Sequence, residues 1–168
     1  MLRLRPLGPN DEAAFLTGQA EMAAEGHTFG PRPEPDTTWN DYLQLLAGSR
    51  TGLNLLARRV PSTFLVADVD GQIVGRVSIR HHLNELLRLE GGHIGYCVLP
   101  GFRRRGYATE ILRQALIVAR SIGIDRVLVT CDDDNVASIA VIESNGGKLD
   151  SVRPATGTTP AHRLYWID

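Results

Sequence analysis

Cysteine is almost absent from this chain, and its scarcity excludes two classes at once. Cys97 and Cys131 are its only cysteines. Two are too few for the disulfide framework of a small secreted scaffold, and they do not sit at a zinc-type spacing, so no metal is expected. Each lies in an apolar, strand-like run, where a buried free thiol is the first reading and a catalytic one the alternative. Long apolar stretches are missing too. No run approaches 18 uncharged apolar residues, so no membrane-spanning helix and no membrane partner is expected. Residues 1–9 carry Arg3 and Arg5 but no apolar segment, unlike a signal peptide, and the cytoplasm is the expected address. A dominant charge is also lacking. Eighteen Lys+Arg against nineteen Asp+Glu leave a net charge of −1. That argues against a broad basic face for nucleic acid, which needs many cations on one side.

What is present is an ordinary globular composition, 43% hydrophobic and 22% charged. A length of 168 residues suits one domain, 1–168, without a composition break or internal repeat. Such a chain buries about 70% of its unfolded surface and needs no staple. Alternation predicts a short strand at 2–5, closed by Pro6. Asn10 or Asp11 can cap a helix that runs to Gly26. Pro31, Pro33 and Pro35 make 27–37 a loop. A second helix is expected over 38–47, then a weakly patterned connection over 48–61. Two strands, 63–69 and 72–79, flank Asp70-Gly71, a strong hairpin signal. One or two helical turns fit 83–89. Strands follow at 93–99, 126–131, 148–152 and 164–167, with helices at 107–122 and 135–145. This order predicts an α/β fold, a single mixed central sheet, partly antiparallel and partly parallel, flanked by helices.

The most informative segment is Val98-Leu99-Pro100-Gly101-Phe102-Arg103-Arg104-Arg105-Gly106-Tyr107-Ala108-Thr109. A strand ends, a turn follows, and a helix opens on small residues. Helix N-termini carry unpaired N–H groups and partial positive charge, so they receive anions. Gly106 and Ala108 leave room for a phosphate, and the three arginines add cationic charge. The alternative is a solvated arginine cluster. Neither a Walker loop nor the G-x-G-x-x-G fingerprint is present.

Val98-x-Pro100-x-x-Arg103-x-x-Gly106-x-Ala108 resembles the Q/R-x-x-G-x-G/A signature of the GCN5-related N-acetyltransferases. The element order matches across nearly the whole chain, and the runs GGHIGYCVLPGFRRRGYATEIL and CDDDNVASIAVIESNGG look like a bacterial subgroup of acetyltransferases. The resemblance implies an acyl-CoA N-acyltransferase fold in which the strand at 93–99 splays from that at 126–131, with the pantetheine arm of acetyl-CoA between them. It implies that Arg103, Arg104, Arg105, Gly106, Tyr107, Ala108 and Thr109 hold the pyrophosphate, that backbone at Val98 contacts the thioester carbonyl, and that Asn135 and Ser138 meet the cofactor. The implied reaction is direct attack of an amine on the thioester, with acetyl-CoA as co-substrate and a small-molecule or peptide amine as acceptor.

Such an attack needs a neutral amine, so a base is expected. Glu90 is the leading candidate, with Glu85 and His93 beside it, and surface roles as the alternative. His81 and His82 end a strand and can face the acceptor, or form an exposed turn. The tyrosine that the family often places on the later helix matches Ile142 here, so that acid is missing. Ser138 is a weaker candidate acid, or a helix residue bonded back to a carbonyl. Asn135 can be an N-cap only, with Asp134 competing for that cap. Asp132, Asp133 and Asp134 can attract a cationic amine or form a solvated capping turn. Segments 27–61 and 80–92 are expected to line the acceptor side. The run 163–167 is apolar enough to pair with a neighbour, so the chain is a monomer or a homodimer. The missing tyrosine leaves open a non-catalytic acyl-CoA-binding or sensing module, and the arginine turn alone leaves open another phosphorylated ligand.

Overall fold

Four strands form a first sheet: β1 (Leu2–Arg5), β2 (Ser62–Val69), β3 (Gln72–Arg80) and β4 (Ile94–Val98), ordered β1-β2-β3-β4 and antiparallel throughout. The structure is a computed structural model and describes residues 1–31, 34–53, 55, 59–157 and 159–168. Parts of the expected loop at 27–37, Pro33 among them, and of the connection at 48–61 therefore lie outside the described residues. The hairpin at Asp70-Gly71 joins β2 to β3 as expected. Both residues have positive φ, 51° and 85°, as a type I′ turn requires.

β2 is buried from Thr63 to Asp68 because both faces of the sheet are covered. On one side lies α4 (Tyr107–Ser121), whose stripe Ile111, Leu112, Ala115, Leu116 and Ala119 enters the core. Gln114 on α4 also accepts the Leu4 N–H and donates to the Leu2 carbonyl, covering the edge of β1. On the other side pack α1 (Glu12–Ala24) and α2 (Trp39–Thr51). Phe15 anchors that second core, stacking at 5.5–6.2 Å against Phe29, Trp39, Tyr42 and Phe64. The helix expected over 38–47 runs one turn further. Gly48 is tolerated within it, and the left-handed stop is Gly52, at φ 80°.

Beyond a short helix, α3 (Glu85–Leu89), and β4, the chain builds a second sheet. β5 (Val127–Asp132), β6 (Lys148–Arg153) and β7 (His162–Ile167) take the order β5-β7-β6, with α5 (Val136–Ser144) between β5 and β6. Both pairings are antiparallel. β7 is thus central, with both edges occupied inside the chain, so the apolar 163–167 run has its strand partners in β5 and β6. The exposed edge is β6.

The mixed sheet is therefore divided into two sheets, and among the described residues no parallel ladder joins them. The chain entering β4 meets β5, where the Gly91 N–H donates to the Thr130 hydroxyl at 2.9 Å. The His93 N–H donates to the Leu128 carbonyl (2.7 Å), while the Leu128 N–H donates to His93 Nδ1 (2.9 Å). An imidazole thus takes the donor that a ladder would use. Gly92 makes the approach feasible: a Cβ there would lie 2.4 Å from the Leu128 oxygen, and its φ is 58°.

His93 is only 7% exposed. Burial, reinforced by the charges of Arg88, Arg80 and His82, pulls its pKa down to about 4. Accepting at Nδ1 requires the proton on Nε2. Between about pH 6.5 and 4 the unfolded chain binds a proton that this folded ring refuses. Stability therefore falls as pH falls through that window, by about 3 kcal/mol. His93→Asn keeps an acceptor and is expected to flatten the slope. Urea unfolding at several pH values checks this, and parallel slopes in the two proteins would contradict it.

Candidate active site

β4 and the segment after it carry the site. Leu99 N–H donates to the Val74 carbonyl at 2.9 Å, and Cys97 stands opposite Arg76. Antiparallel alternation then turns the backbone groups of Tyr96 and Val98 away from β3, toward β5. The Val98 carbonyl accepts from Arg103 Nε at 3.2 Å. A 3₁₀ turn, Pro100–Phe102, leads to Arg104 and Gly106, both left-handed at φ 63° and 77°. Gly106 is the N-cap of α4, and the first bond back to it comes from the Glu110 N–H. The amides of Tyr107, Ala108 and Thr109 belong to the first turn, whose N–H groups have no intrahelical acceptor. Nothing of the protein lies within 4 Å of a Cβ built on Gly106, so its φ demands glycine and the space before it is open.

The three arginines of the run separate. The Arg103 guanidinium holds Glu25, the C-cap of α1, and the Val98 carbonyl, and its amide donates to the Pro100 carbonyl at 3.4 Å. That contact holds the Glu25 carboxyl below the usual carboxylate range. Arg105 stacks over Phe102 and donates to the Gly101 carbonyl. Arg104 is exposed, and among the described residues it forms no ion pair.

Across the gap, Asn135 caps α5: its side-chain oxygen accepts the Ser138 N–H at 3.0 Å. Ser138 is half-buried and faces Tyr96. The Tyr96 hydroxyl is sealed from water and makes no hydrogen bond of its own. Burial pushes this phenol up to about 12, against the opposing influence of the Ser138 hydroxyl. A buried donor without an acceptor is costly, which makes this a point where a ligand's acceptor atom would be welcome. Sequence reasoning passed over Tyr96. Its signal was the alternation Ile94, Tyr96, Val98, which puts a polar tip among core positions.

Other expected residues go elsewhere. Ile142 is fully buried core. Glu90 is exposed at the end of α3, before the start of β4, while Val98 is at its end, about 13 Å along the strand. The structure does not bring Glu90 and Val98 together. Glu85 is exposed on α3. His81 is tied through Nε2 to Thr63 at 2.9 Å, and His82 is exposed. His93 belongs to the sheet junction. Asp132 and Asp133 face His162 and Arg163 of β7, at 3.2 and 2.6 Å, so two of the three acidic residues have partners within the chain. Burial holds both thiols in the protonated form, Cys131 at about 11, as expected of inert cysteines. Segment 27–61 lines a cavity on the α1–α2 side of β3 through His27, Thr28, Gly30, Pro31 and Arg59, while of 80–92 only Arg80, the last residue of β3, reaches it.

A strand pair joined only at the start of β4 and unpaired beyond it, with an anion-ready helix start after β4, is the arrangement of an acyl-CoA N-acyltransferase fold. The family model for the acetyltransferase (GNAT) domain matches residues 1–148, and the chain belongs to that family. Solved structures agree on the fold. RimL, the ribosomal L7/L12 alpha-N-protein acetyltransferase in complex with coenzyme A, superposes with a TM-score of 0.71 at 17% identity, over 99% of this chain and 93% of its own. RimJ of Mycobacterium smegmatis, in complex with CoA-disulfide, gives 0.69 at 23%, over 99% and 81%. The yncA protein of Salmonella typhimurium, solved with acetyl-CoA, gives 0.67 at 17%, over 99% and 92%. No curated protein matches the sequence. The protein is thus an acyltransferase of the N-acetyltransferase kind.

Tyr96→Phe removes an unsatisfied buried hydroxyl while preserving the ring. It is expected to leave the thermal midpoint unchanged or raise stability by up to about 1 kcal/mol. A clear drop would show that the hydroxyl has a structural partner after all.

Proposed function

We propose that this protein transfers the acetyl group of acetyl-CoA to a primary amine by direct attack, without a covalent enzyme intermediate. The observation that carries the reading is the open start of α4, entered through left-handed Arg104 and Gly106, at the mouth of the β4–β5 gap. The residues fit a pyrophosphate: three first-turn amides, an open space at Gly106 and the exposed Arg104. Coenzyme A in the solved RimL structure, CoA-disulfide in RimJ and acetyl-CoA in yncA support the donor.

In this reading the amides of Arg104, Arg105, Gly106, Tyr107, Ala108 and Thr109 hold the pyrophosphate, and Arg103 braces the turn from behind by gripping Glu25. The Val98 amide faces the thioester oxygen. One such donor is worth about 2.7–4 kcal/mol of barrier. Asn135 orients the start of α5, and Ser138 with Tyr96 supplies hydroxyl donors toward the leaving sulfur. A phenol held near 12 stays protonated at working pH, so Tyr96 acts as a hydrogen-bond donor more readily than as a full acid. Glu90, before the start of β4, lies beyond the reach of one bridging water, so the amine gives its proton to solvent.

Calorimetric titration with acetyl-CoA tests the donor half. Gly106→Val and Arg104→Glu are each expected to weaken binding about ten-fold or more, since both act on the anion site; unaltered affinity in both variants would remove the pyrophosphate assignment. Thiol release against a panel of amines, including the peptide α-amines that RimL's name suggests, tests the transfer. Tyr96→Phe is expected to lower kcat about ten-fold while leaving acetyl-CoA affinity within two-fold. Binding without thiol release from any amine would reduce the protein to a sensing module.

A further inference from the structure

Arg59, Arg76 and Arg80 converge on a cavity of about 510 Å³, and among the described residues no carboxylate lines it. Arg76, Ser78 and Arg80 alternate along β3, so they share the face turned away from α4, while Val77 and Ile79 enter the α4 core. Phe64 lies beside Ser78 on the neighbouring strand, and Gly30 and Pro31 complete the lining from the loop after α1. The Tyr42 hydroxyl fixes the Pro31 carbonyl at 2.7 Å, and Gln19 takes the amides of Phe29 and Gly30.

The cations in this cavity lack counter-charge. Arg76 donates to the carbonyls of Gly95 (3.0 Å) and Thr28 (3.1 Å), and its Nε is sealed from water with no partner. Arg80 donates to the carbonyls of Gly91 and Gly92, at 2.8 and 3.1 Å. Among the described residues none of the three forms an ion pair, whereas Arg5, Arg103, Arg113 and Arg163 each hold a carboxylate. Burial, and then the charges of Arg76 and Arg59, pull the Arg80 pKa below its ordinary value. Half-buried like charges without a counter-ion are costly, and an anion between them relieves that cost.

The cavity also abuts the reaction strand. Ser78 pairs with Gly95 and Arg76 with Cys97. Gly95 leaves β4 bare here: a Cβ on it would lie 3.6 and 3.7 Å from the two terminal nitrogens of Arg80, and 3.8 Å from Arg76. An anion on these guanidiniums therefore rests against the strand that borders the β4–β5 gap.

We propose that this cavity binds the acceptor, and that the acceptor is a small amine bearing a carboxylate, a free amino acid or a close analogue. This rests on the acetyl-transfer reading above. The carboxylate sits on Arg76 and Arg80, with Arg59 at the mouth, and the amine reaches past Gly95 toward the gap. The volume suits a small molecule, and the charge excludes polyamines. The ammonium first loses a proton to water. Its nitrogen lone pair then forms the new bond to the acetyl carbon and the C–S bond breaks. The sulfur leaves with that electron pair and is protonated, and the amide nitrogen releases its extra proton.

Thiol release from acetyl-CoA is measured with free amino acids, with the matching amino acid amides, with peptides whose first residues are acidic, and with polyamines. At least one free amino acid is expected to exceed its own amide about ten-fold or more in kcat/KM. Arg59→Gln and Arg76→Gln are expected to raise the KM of that acid about ten-fold, leaving the amide's KM and acetyl-CoA affinity unchanged. Arg76→Lys, which keeps the charge, recovers part of the loss, and Arg59→Gln touches an exposed residue, so folding does not confound it. Amides equal to acids, or variants that affect both alike, overturn the acceptor assignment alone. Acidic peptides or polyamines as the better acceptors overturn it too. Failure to bind acetyl-CoA, or no thiol release with any amine, overturns the acetyl-transfer reading itself and the acceptor with it.

Discussion

The exchange between His93 and Leu128 is the contact on which the rest of the architecture depends. Two strands that would otherwise zip together are joined only at the start of β4, by His93 on Leu128 and by the Gly91 N–H on the Thr130 hydroxyl. A side-chain nitrogen takes the donor that the next rung of a ladder needs. Beyond that point the amides of Tyr96 and Val98 face an unpaired space, while the Val98 carbonyl is taken by Arg103. Backbone polar groups left unpaired are costly when buried, so a fold keeps them only where a ligand or water satisfies them. The junction thus creates the demand that the site answers, and Gly92 permits the approach that creates the junction.

Charge is sorted by the same architecture. The Arg103-Arg104-Arg105 run looks in sequence like one cationic patch, yet the fold assigns each guanidinium a different task. One braces the turn against α1, one stacks on Phe102, and one is left exposed. The larger uncompensated cluster is elsewhere, assembled from Arg59, Arg76 and Arg80. The acidic run at 132–134 is partly neutralised by β7 across the strand pair. Runs of like charge in a sequence therefore mislead in both directions: adjacency in the chain separates side chains, and pleating gathers those two residues apart.

Much of the fold was legible. The hairpin at Asp70-Gly71, the amphipathic stripe of α4 and the glycine-bearing turn before it rest on local chemistry, and local chemistry can be read from neighbours in the chain. The sheet junction was not legible, because it needs a histidine ring and an amide 35 residues apart to meet. The stop of α2 was misread because two glycines compete, and only the φ of Gly52 decides between them. In the site, the open helix start was readable and Tyr96 was not, since a tyrosine between Ile94 and Val98 looks like core until its hydroxyl is found without a partner. The cavity arginines were within reach: Arg-x-Ser-x-Arg on a strand otherwise apolar marks one face as cationic. That signal was overlooked because the adjacent arginine triplet seemed the stronger.

The central position of β7 has a consequence for the order of assembly. Its sheet has no β5–β6 pairing to fall back on, so neither strand acquires a partner until residues 162–167 have been synthesised. A nascent chain that has emerged only as far as residue 148 can close β1–β4 over α4, but β5 then stands with both edges bare next to the His93 junction. The half of the molecule that holds α5, and with it one wall of the gap, is completed last. Time spent at that stage is time in which an apolar strand is open to any extended segment nearby.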